Sequence, residues 1–303
     1  MKKVLLTGAT GFIGRHCLPL LLSSGYEVHA VSLGPINQDN SDVCWHQADL
    51  LDDVQAAKLV SKIKATHLLH LAWYTEPKKY WTSFDNFNWV KSSLNLMQEF
   101  CFCGGQRMVV SGTCAEYDWQ YGYCSEKITP LSPKTLYGVC KHSFQSMLSV
   151  FSEQSGLSSA WARVFFLYGP HEHPCRLVPS VICSLLRAKE FHCHNGNQIR
   201  DFLYVEDVAS AFVALLFNNS QGAVNIGSGN PVSLREVVSK IGEKIGRPDL
   251  ISFKKPAVFP DEPPFLVADN SRLKQEINWN AQYSLDHGLD KTIQWWKEQM
   301  EET

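Results

Sequence analysis

Residues 7–14 read TGATGFIG, which sets three glycines, Gly8, Gly11 and Gly14, directly behind the apolar run KVLLT and ahead of an amphipathic stretch from Ile13 to Ser24. A chain that passes from strand to helix in so tight a turn needs residues without a Cβ. The turn also exposes the free N–H groups and positive dipole end of the helix, where phosphate oxygens bind. Strand, glycine spacing and helix together predict a dinucleotide site over Gly8, Thr10, Gly11, Phe12, Ile13 and Gly14.

Apolar runs then recur as EVHAVS (27–32), VCWHQADL (43–50), HLLHLA (67–72), RMVVSG (107–112) and SAWARVFF (159–166). Between them lie helical periodicities near 52–63 and 88–101 and one beginning near Thr135. This rhythm predicts an α/β fold, a parallel sheet covered by helices on both faces. Past residue 166, YGPHEHP (168–174) and KKPAVFPDEPPF (254–265) interrupt the periodic runs, so a smaller, loop-rich lobe is expected there.

Composition narrows the class. With 45% hydrophobic and 19% charged residues and a formal charge of -2, the chain is globular and carries no basic excess of the kind a nucleic-acid binder needs. The N-terminal apolar run is too short for a signal core or a membrane span. Ten cysteines with no CxxC among them read as reduced thiols of a cytoplasmic protein.

The adenosine ribose of NAD is usually held by an acidic residue about 20 residues past the glycine turn. Ser32 and Leu33 stand there instead. Without that carboxylate the choice between NAD(H) and NADP(H) stays open and tilts to NADP(H), with Arg15 or Ser32 available to a 2'-phosphate.

In TLYGVCK (135–141), Tyr137 and Lys141 lie four positions apart, on one face of the expected helix. A free phenol has a pKa of about 10. A nearby cation favours the phenolate and lowers that value, which predicts a general acid or base in Tyr137.

TGATGFIG, ADL (48–50), HLA (70–72), YGVCK (137–141), LYGP (167–170), RDFLYVEDVA (200–209) and NIGSG (225–229) occur in the order seen in the extended short-chain dehydrogenase/reductases. The chain resembles that family over nearly its whole length, and within it the nucleotide-sugar epimerase, dehydratase and ketoreductase branch. The resemblance implies a Rossmann-type doubly wound sheet, residues 1–166 with a return at about 200–227, and a C-terminal α/β substrate lobe, residues 167–199 and 228–303. It implies that Asp49 and Leu50 meet the adenine, that Leu71, Ala72 and Trp73 border the cofactor, and that Lys141 also holds the nicotinamide ribose. It places a third catalytic member at Thr113, four residues ahead of Tyr117, and implies a homodimer formed through two long helices.

Departures from the family pattern discriminate among reactions. Sugar dehydratases of this kind carry an Asp-Glu pair after the threonine, whereas this chain has Cys114 and Ala115, with Glu116 expected on the other face of a strand-like segment. Phe166 stands where epimerases place an asparagine that contacts substrate. For a nucleotide sugar's pyrophosphate, Arg200 matches the family's phosphate-facing arginine and Arg176 is a second candidate; a further family arginine is replaced by Phe259. Trp73, Tyr74 and Trp81 offer stacking surfaces. HEHPC (171–175) and FHCHN (191–195) contain zinc-type donors, but contact of His171 or Glu172 with substrate outranks a metal site.

The resulting expectation is NAD(P)H-dependent reduction of a nucleoside-diphosphate 4-keto-6-deoxy sugar at carbon 4, with Tyr137 the proton donor. The alternative is a 4-epimerase with tightly bound NAD. A third reading is a non-catalytic, cofactor-binding redox sensor.

Overall fold

The computed structural model describes residues 2–35, 42–194, 196–253 and 263–301; Phe259 lies outside them. The first half runs β1 (Lys3–Thr7), α1 (Gly14–Ser23), β2 (Glu27–Ser32), β3 (Val43–Gln47), α2 (Asp53–Ile63), β4 (His67–His70), α3 (Asp85–Phe102), β5 (Arg107–Thr113), β6 (Tyr123–Cys124), α4 (Leu136–Ser155) and β7 (Ser158–Val164). The second runs β8 (Phe166–Tyr168), α5 (Leu177–Leu186), β9 (Phe191–Cys193), β10 (Ile199–Tyr204), α6 (Val205–Phe217), β11 (Gly222–Ile226), β12 (Pro231–Ser233), α7 (Leu234–Ile245), β13 (Ile251–Phe253), β14 (Phe265–Ala268), α8 (Ser271–Gln275) and α9 (Leu285–Glu301).

Seven parallel strands form the main sheet in the order β11-β7-β5-β4-β1-β2-β3. Side chains alternate across it, as the two-residue period of a strand requires. Val4 and Leu6 of β1 pack with Cys17 and Leu21 of α1 and Phe212 of α6, while Leu5 packs with Leu59 of α2, Leu96 of α3 and Phe144 of α4. Burial of each such leucine or phenylalanine contributes roughly 1.5–3 kcal/mol. This is the doubly wound Rossmann-type α/β fold. The chain reverses direction across the sheet between β1 and β4, so the crevice beyond their carboxyl ends is where ligands of such sheets bind.

A smaller sheet in the order β12-β10-β14-β6, with β8 also on β10, builds the lobe together with α5, α7 and α9, which share a core of Val181, Ile182, Val237, Ile241, Leu289 and Ile293. The expected return of residues 200–227 to the main sheet begins later, at α6, because β10 belongs to the smaller sheet. Asp201 anchors it there, fully buried and accepting from the N–H groups of Ser228 at 2.6 Å, Gly229 at 2.9 Å and Ala268 at 3.1 Å.

The end of β5 is joined to β7 by a buried ion pair. Arg163 Nε donates to Glu116 at 2.8 Å, with the two side chains 2% and 0% exposed. Glu116 also accepts from Trp161 Nε1 at 2.8 Å and from the Thr113 N–H at 2.8 Å. Removing one partner of such a pair strands a charge in the interior. Arg163→Met is therefore expected to lower the unfolding free energy by about 3–5 kcal/mol, measured by urea denaturation; a loss below about 1 kcal/mol would contradict the role assigned to the pair.

Candidate active site

At the switch point the glycine turn closes on itself. Gly11 N–H donates to the Gly8 carbonyl at 3.0 Å, and a Cβ on Gly14 would collide with that same carbonyl, so only glycine lets α1 start there. Ile13 caps the helix without a side-chain hydrogen bond, and within the first turn the N–H groups of Arg15 and His16 donate to Gly11 O at 3.2 Å and Ile13 O at 3.0 Å. Thr10 and Phe12 line the cleft in front of the turn. Thr7 Oγ1 accepts from the N–H groups of Leu71 at 3.2 Å and Ala72 at 3.3 Å and lies 2.7 Å from His70 Nδ1, which ties the carboxyl ends of β1 and β4 together. Burial, with Lys141 adding to it, pushes His70 down to about 3, so this imidazole is neutral.

The rim expected at the adenosine end is arranged by local bonds. Ser32 Oγ donates to Gly34 O at 3.1 Å, Asp49 Oδ1 accepts from Leu51 N–H at 2.9 Å, and the buried Leu50 takes the Ser92 hydroxyl on its carbonyl. Arg15 donates to the carbonyls of Thr10 at 2.6 Å and Gly11 at 3.3 Å. The two groups considered for a 2'-phosphate, Ser32 and Arg15, are thus already engaged.

Thr113, Tyr137 and Lys141 come together, all buried. Thr135 caps α4 by accepting from Gly138 N–H at 3.1 Å, and Gly138 lets the helix approach the turn at residues 114–116, since a Cβ there would stand 2.6 Å from Ala115 O. The close approach sets Tyr137 near enough to Thr113 for its hydroxyl to act on the phenol, while Thr113 Oγ1 accepts from Ala115 N–H at 3.2 Å.

Lys141 and Tyr137 share a helix face, but the ammonium is held elsewhere. It donates to Ser111 O at 2.8 Å and lies 3.7 Å from the centroid of the Trp73 ring. Burial lowers Lys141 to about 7, against an opposing pull from Glu116. Tyr137 corrects the expectation of a lowered phenol: burial, then the neighbouring Tyr80, push it well above the ordinary tyrosine value, and the Thr113 hydroxyl acts in the other direction. Desolvation of the phenolate outweighs the pull of that hydroxyl.

Of the residues expected on the substrate side, Phe166 and Arg200 meet. Arg200 is buried, 5.4 Å from the Phe166 ring centroid, and donates to Ile199 O at 2.9 Å, so it is no surface cation. The Arg176 guanidinium lies 5.3 Å from the centroid of the Tyr80 ring; Tyr80 in turn meets the Tyr137 ring edge-to-face at 4.9 Å. His171 packs 4.5 Å from the Trp295 ring, and burial pushes it down to about 4. Trp73 is fixed by its Nε1–H to Asn86 Oδ1 at 2.9 Å. Among the described residues, the group of donors close enough to share a metal is Glu27, His29 and Cys44, on β2 and β3 rather than in the two histidine-rich stretches.

A family model for the NAD dependent epimerase/dehydratase family matches residues 4–227. The chain belongs to this family. Its relatives include a UDP-glucuronate 4-epimerase of Thermodesulfobacterium geofontis, 27% identical over 99% of this chain and 98% of that protein. Another is UDP-glucuronic acid decarboxylase 1 of Xenopus tropicalis, 26% identical over 99% and 73%. Among solved structures, MoeE5 in complex with UDP-glucuronic acid and NAD superposes with a TM-score of 0.86 at 28% identity, covering 98% of this chain and 99% of that one.

The chain's glycine turn has the tight strand-to-helix form of a dinucleotide turn, with Gly8 at a φ of 70° and Gly14 packed where a Cβ would meet the Gly8 carbonyl. Sequence reasoning missed Tyr80 and the ion pair. Glu116 does not point away along a strand: residues 114–116 form a 3-10 turn in which Thr113 and Glu116 cap each other, and the spacing T-x-x-E is the signal that could have revealed it. Nothing local in the sequence marks Arg163 as its partner or Tyr80 as a neighbour of Tyr137.

Gly14→Ala places a methyl group against the Gly8 carbonyl and displaces the turn. It is expected to weaken NAD binding at least about tenfold, an effect of about 1.4 kcal/mol, read by fluorescence titration of protein first unfolded, stripped of nucleotide and refolded; affinity equal to that of the parent treated in the same way would refute the turn as the NAD cradle.

Proposed function

We propose that the chain is a nucleotide-sugar 4-epimerase that uses retained NAD on a UDP-linked sugar. The observation that carries the reading is that Thr113, Tyr137 and Lys141 are buried together, with the Thr113 hydroxyl acting to lower the Tyr137 phenol, on the sheet that carries the glycine turn. Bound NAD would supply the acceptor and donor of a hydride for carbon 4. Thr113 holds the carbon 4 oxygen, and Tyr137 exchanges the proton of that oxygen. Burial keeps the phenol protonated, ready to donate as the hydride returns, and the Thr113 hydroxyl favours the phenolate needed for the oxidative half. Lys141, lowered to about 7, is assigned the grip on the nicotinamide ribose that the resemblance implies. Arg176 and Arg200 are the cations assigned to the diphosphate.

Three findings favour this over the ketoreductase first expected. The relatives named above include a 4-epimerase, the MoeE5 complex contains NAD, and Ser32 and Arg15 are engaged in local bonds. Dehydration gains no support: burial raises the Cys114 thiol far above its ordinary value, Ala115 has no ionisable group, and Glu116 is held by Arg163. The ketoreductase remains the second reading because the phenol is held in its proton-donating form. Exposed Phe87 and Phe102 on α3 and Val139, Met147 and Val150 on α4 support pairing of two copies through these helices.

Purified protein is expected to carry NAD that does not exchange and to convert a UDP-sugar to its carbon 4 epimer, followed by NMR. Tyr137→Phe should cut turnover by about 10²-fold or more with NAD still bound. Turnover within a few-fold of the parent would remove Tyr137 from the mechanism, and stoichiometric consumption of added NADPH on a 4-keto sugar would select the reductase.

A further inference from the structure

At the outer edge of the main sheet, β2 and β3 bring together side chains that neither the glycine turn nor the catalytic trio uses. Glu27 and His29 are two residues apart on β2 and face the same side of the sheet. Cys44 of β3 stands in register with His29. One ligand atom from each of Glu27, His29 and Cys44 lies within 4.8 Å of the other two, and among the described residues no other three or more His, Cys, Asp or Glu side chains converge in this way. His29 is buried, Glu27 half-buried and Cys44 exposed. His29 Nε2 lies 2.9 Å from Glu27 Oε1, and its Nδ1 lies 2.9 Å from His46 Nε2.

An ion pair accounts for a carboxylate beside an imidazole, but not for the thiol brought against both. Carboxylate, imidazole nitrogen and thiol together make a zinc-type donor set, whereas magnesium and calcium take oxygen ligands. His46 supplies what a ligating histidine needs from behind. By accepting from His29 Nδ1–H it fixes the tautomer whose Nε2 lone pair is directed at Glu27. The cluster is also well away from the proposed chemistry. Glu27 pairs with Lys3, the first residue of β1, so the donors lie toward the amino ends of the strands, while the glycine turn and Thr113 follow their carboxyl ends.

We propose that Glu27, His29 and Cys44 form a zinc site that clasps the edge strand β3 to β2, with His46 positioning His29 and water completing the tetrahedron. The clasp is independent of the sugar chemistry proposed above and stands or falls without it. Zinc takes the place of the proton between His29 and Glu27 and binds Cys44 as the thiolate, the displaced protons passing to solvent. Bonds of about 2.0–2.3 Å set tetrahedral donors roughly 3.3–3.8 Å apart, so a spread of up to 4.8 Å closes by turning the exposed Cys44 side chain. Carboxylate and thiolate together balance the charge of the ion. Lys3, whose Nζ lies 3.4 Å from Glu27 Oε1 at the surface, gives up that pair at small cost. β3 is the last strand of its sheet, and metal bonds hold it where ladder hydrogen bonds come from one side only.

Tag-free protein freed of metal is titrated with Zn²⁺ against a chromophoric chelator, and with Co²⁺ as an optical substitute. A single equivalent should bind, and the cobalt protein should show thiolate-to-metal charge transfer in the near ultraviolet. Cys44→Ser should remove that band. Cys44→Ser and Glu27→Gln should each weaken zinc binding by about 100-fold or more, and His46→Ala, which removes only the group behind His29, by about 10-fold or more. Cys175→Ser, which changes the other exposed cysteine, should alter neither readout. Zinc, but not magnesium, should raise the unfolding temperature of the parent and leave that of Cys44→Ser unchanged. Because Cys44 is exposed, the metal-free unfolding temperature of Cys44→Ser should match the parent's, which separates loss of a ligand from loss of the fold. Absence of stoichiometric zinc binding, a cobalt complex without the charge-transfer band, or zinc affinity that survives both Cys44→Ser and Glu27→Gln within a few-fold would each overturn the clasp.

Discussion

The ion pair between Glu116 and Arg163 is the constraint on which the arrangement of the site depends. Two opposite charges removed from water carry a desolvation cost that their mutual attraction offsets only when the remaining hydrogen-bonding positions are filled. Here Glu116 accepts from Arg163, Trp161 and the Thr113 backbone, while Arg163 also donates to the Tyr117 hydroxyl at 3.1 Å, which donates onward to Asn225 at 2.7 Å. The network joins β5, β7 and β11 at their carboxyl ends and fixes the turn that presents Thr113. Glu116 thereby sets where the Thr113 hydroxyl stands.

Around that anchor, burial rather than pairing sets the protonation states. His70 and Lys141 are pushed down, Tyr137 and Glu172 are pushed up, and desolvation is the leading cause each time. A pocket whose own groups are held toward neutrality leaves its electrostatic balance to be set by charged ligands, because each new charge acts through a poorly screened interior. That is the physical sense in which a diphosphate and a nicotinamide would change the chemistry of this site rather than only occupy it.

Much of this was legible in the chain. The glycine turn, the alternation of apolar runs and helices, and the i to i+4 spacing of Tyr137 and Lys141 are local patterns, and local patterns survive translation into structure with little loss. The strand SAWARVFF, by contrast, divides at Phe165: β7 ends at Val164 in the main sheet and β8 starts at Phe166 in the smaller one. Its apolar texture is the same in both sheets, so periodicity alone contains no signal for the change of partner.

By itself the sequence determined the fold class, the glycine turn and the helical spacing of Tyr137 and Lys141, because each follows from short-range geometry: a missing Cβ, a strand period, a helical repeat. Only the tertiary structure decided that the ammonium of Lys141 rests on Ser111 and Trp73 instead of the phenol, and that the phenol is raised rather than lowered. It also decided that Glu116 is committed to a residue 47 positions away. Those outcomes depend on how much water each group loses and on which distant side chains replace it, quantities that exist only once the chain has packed.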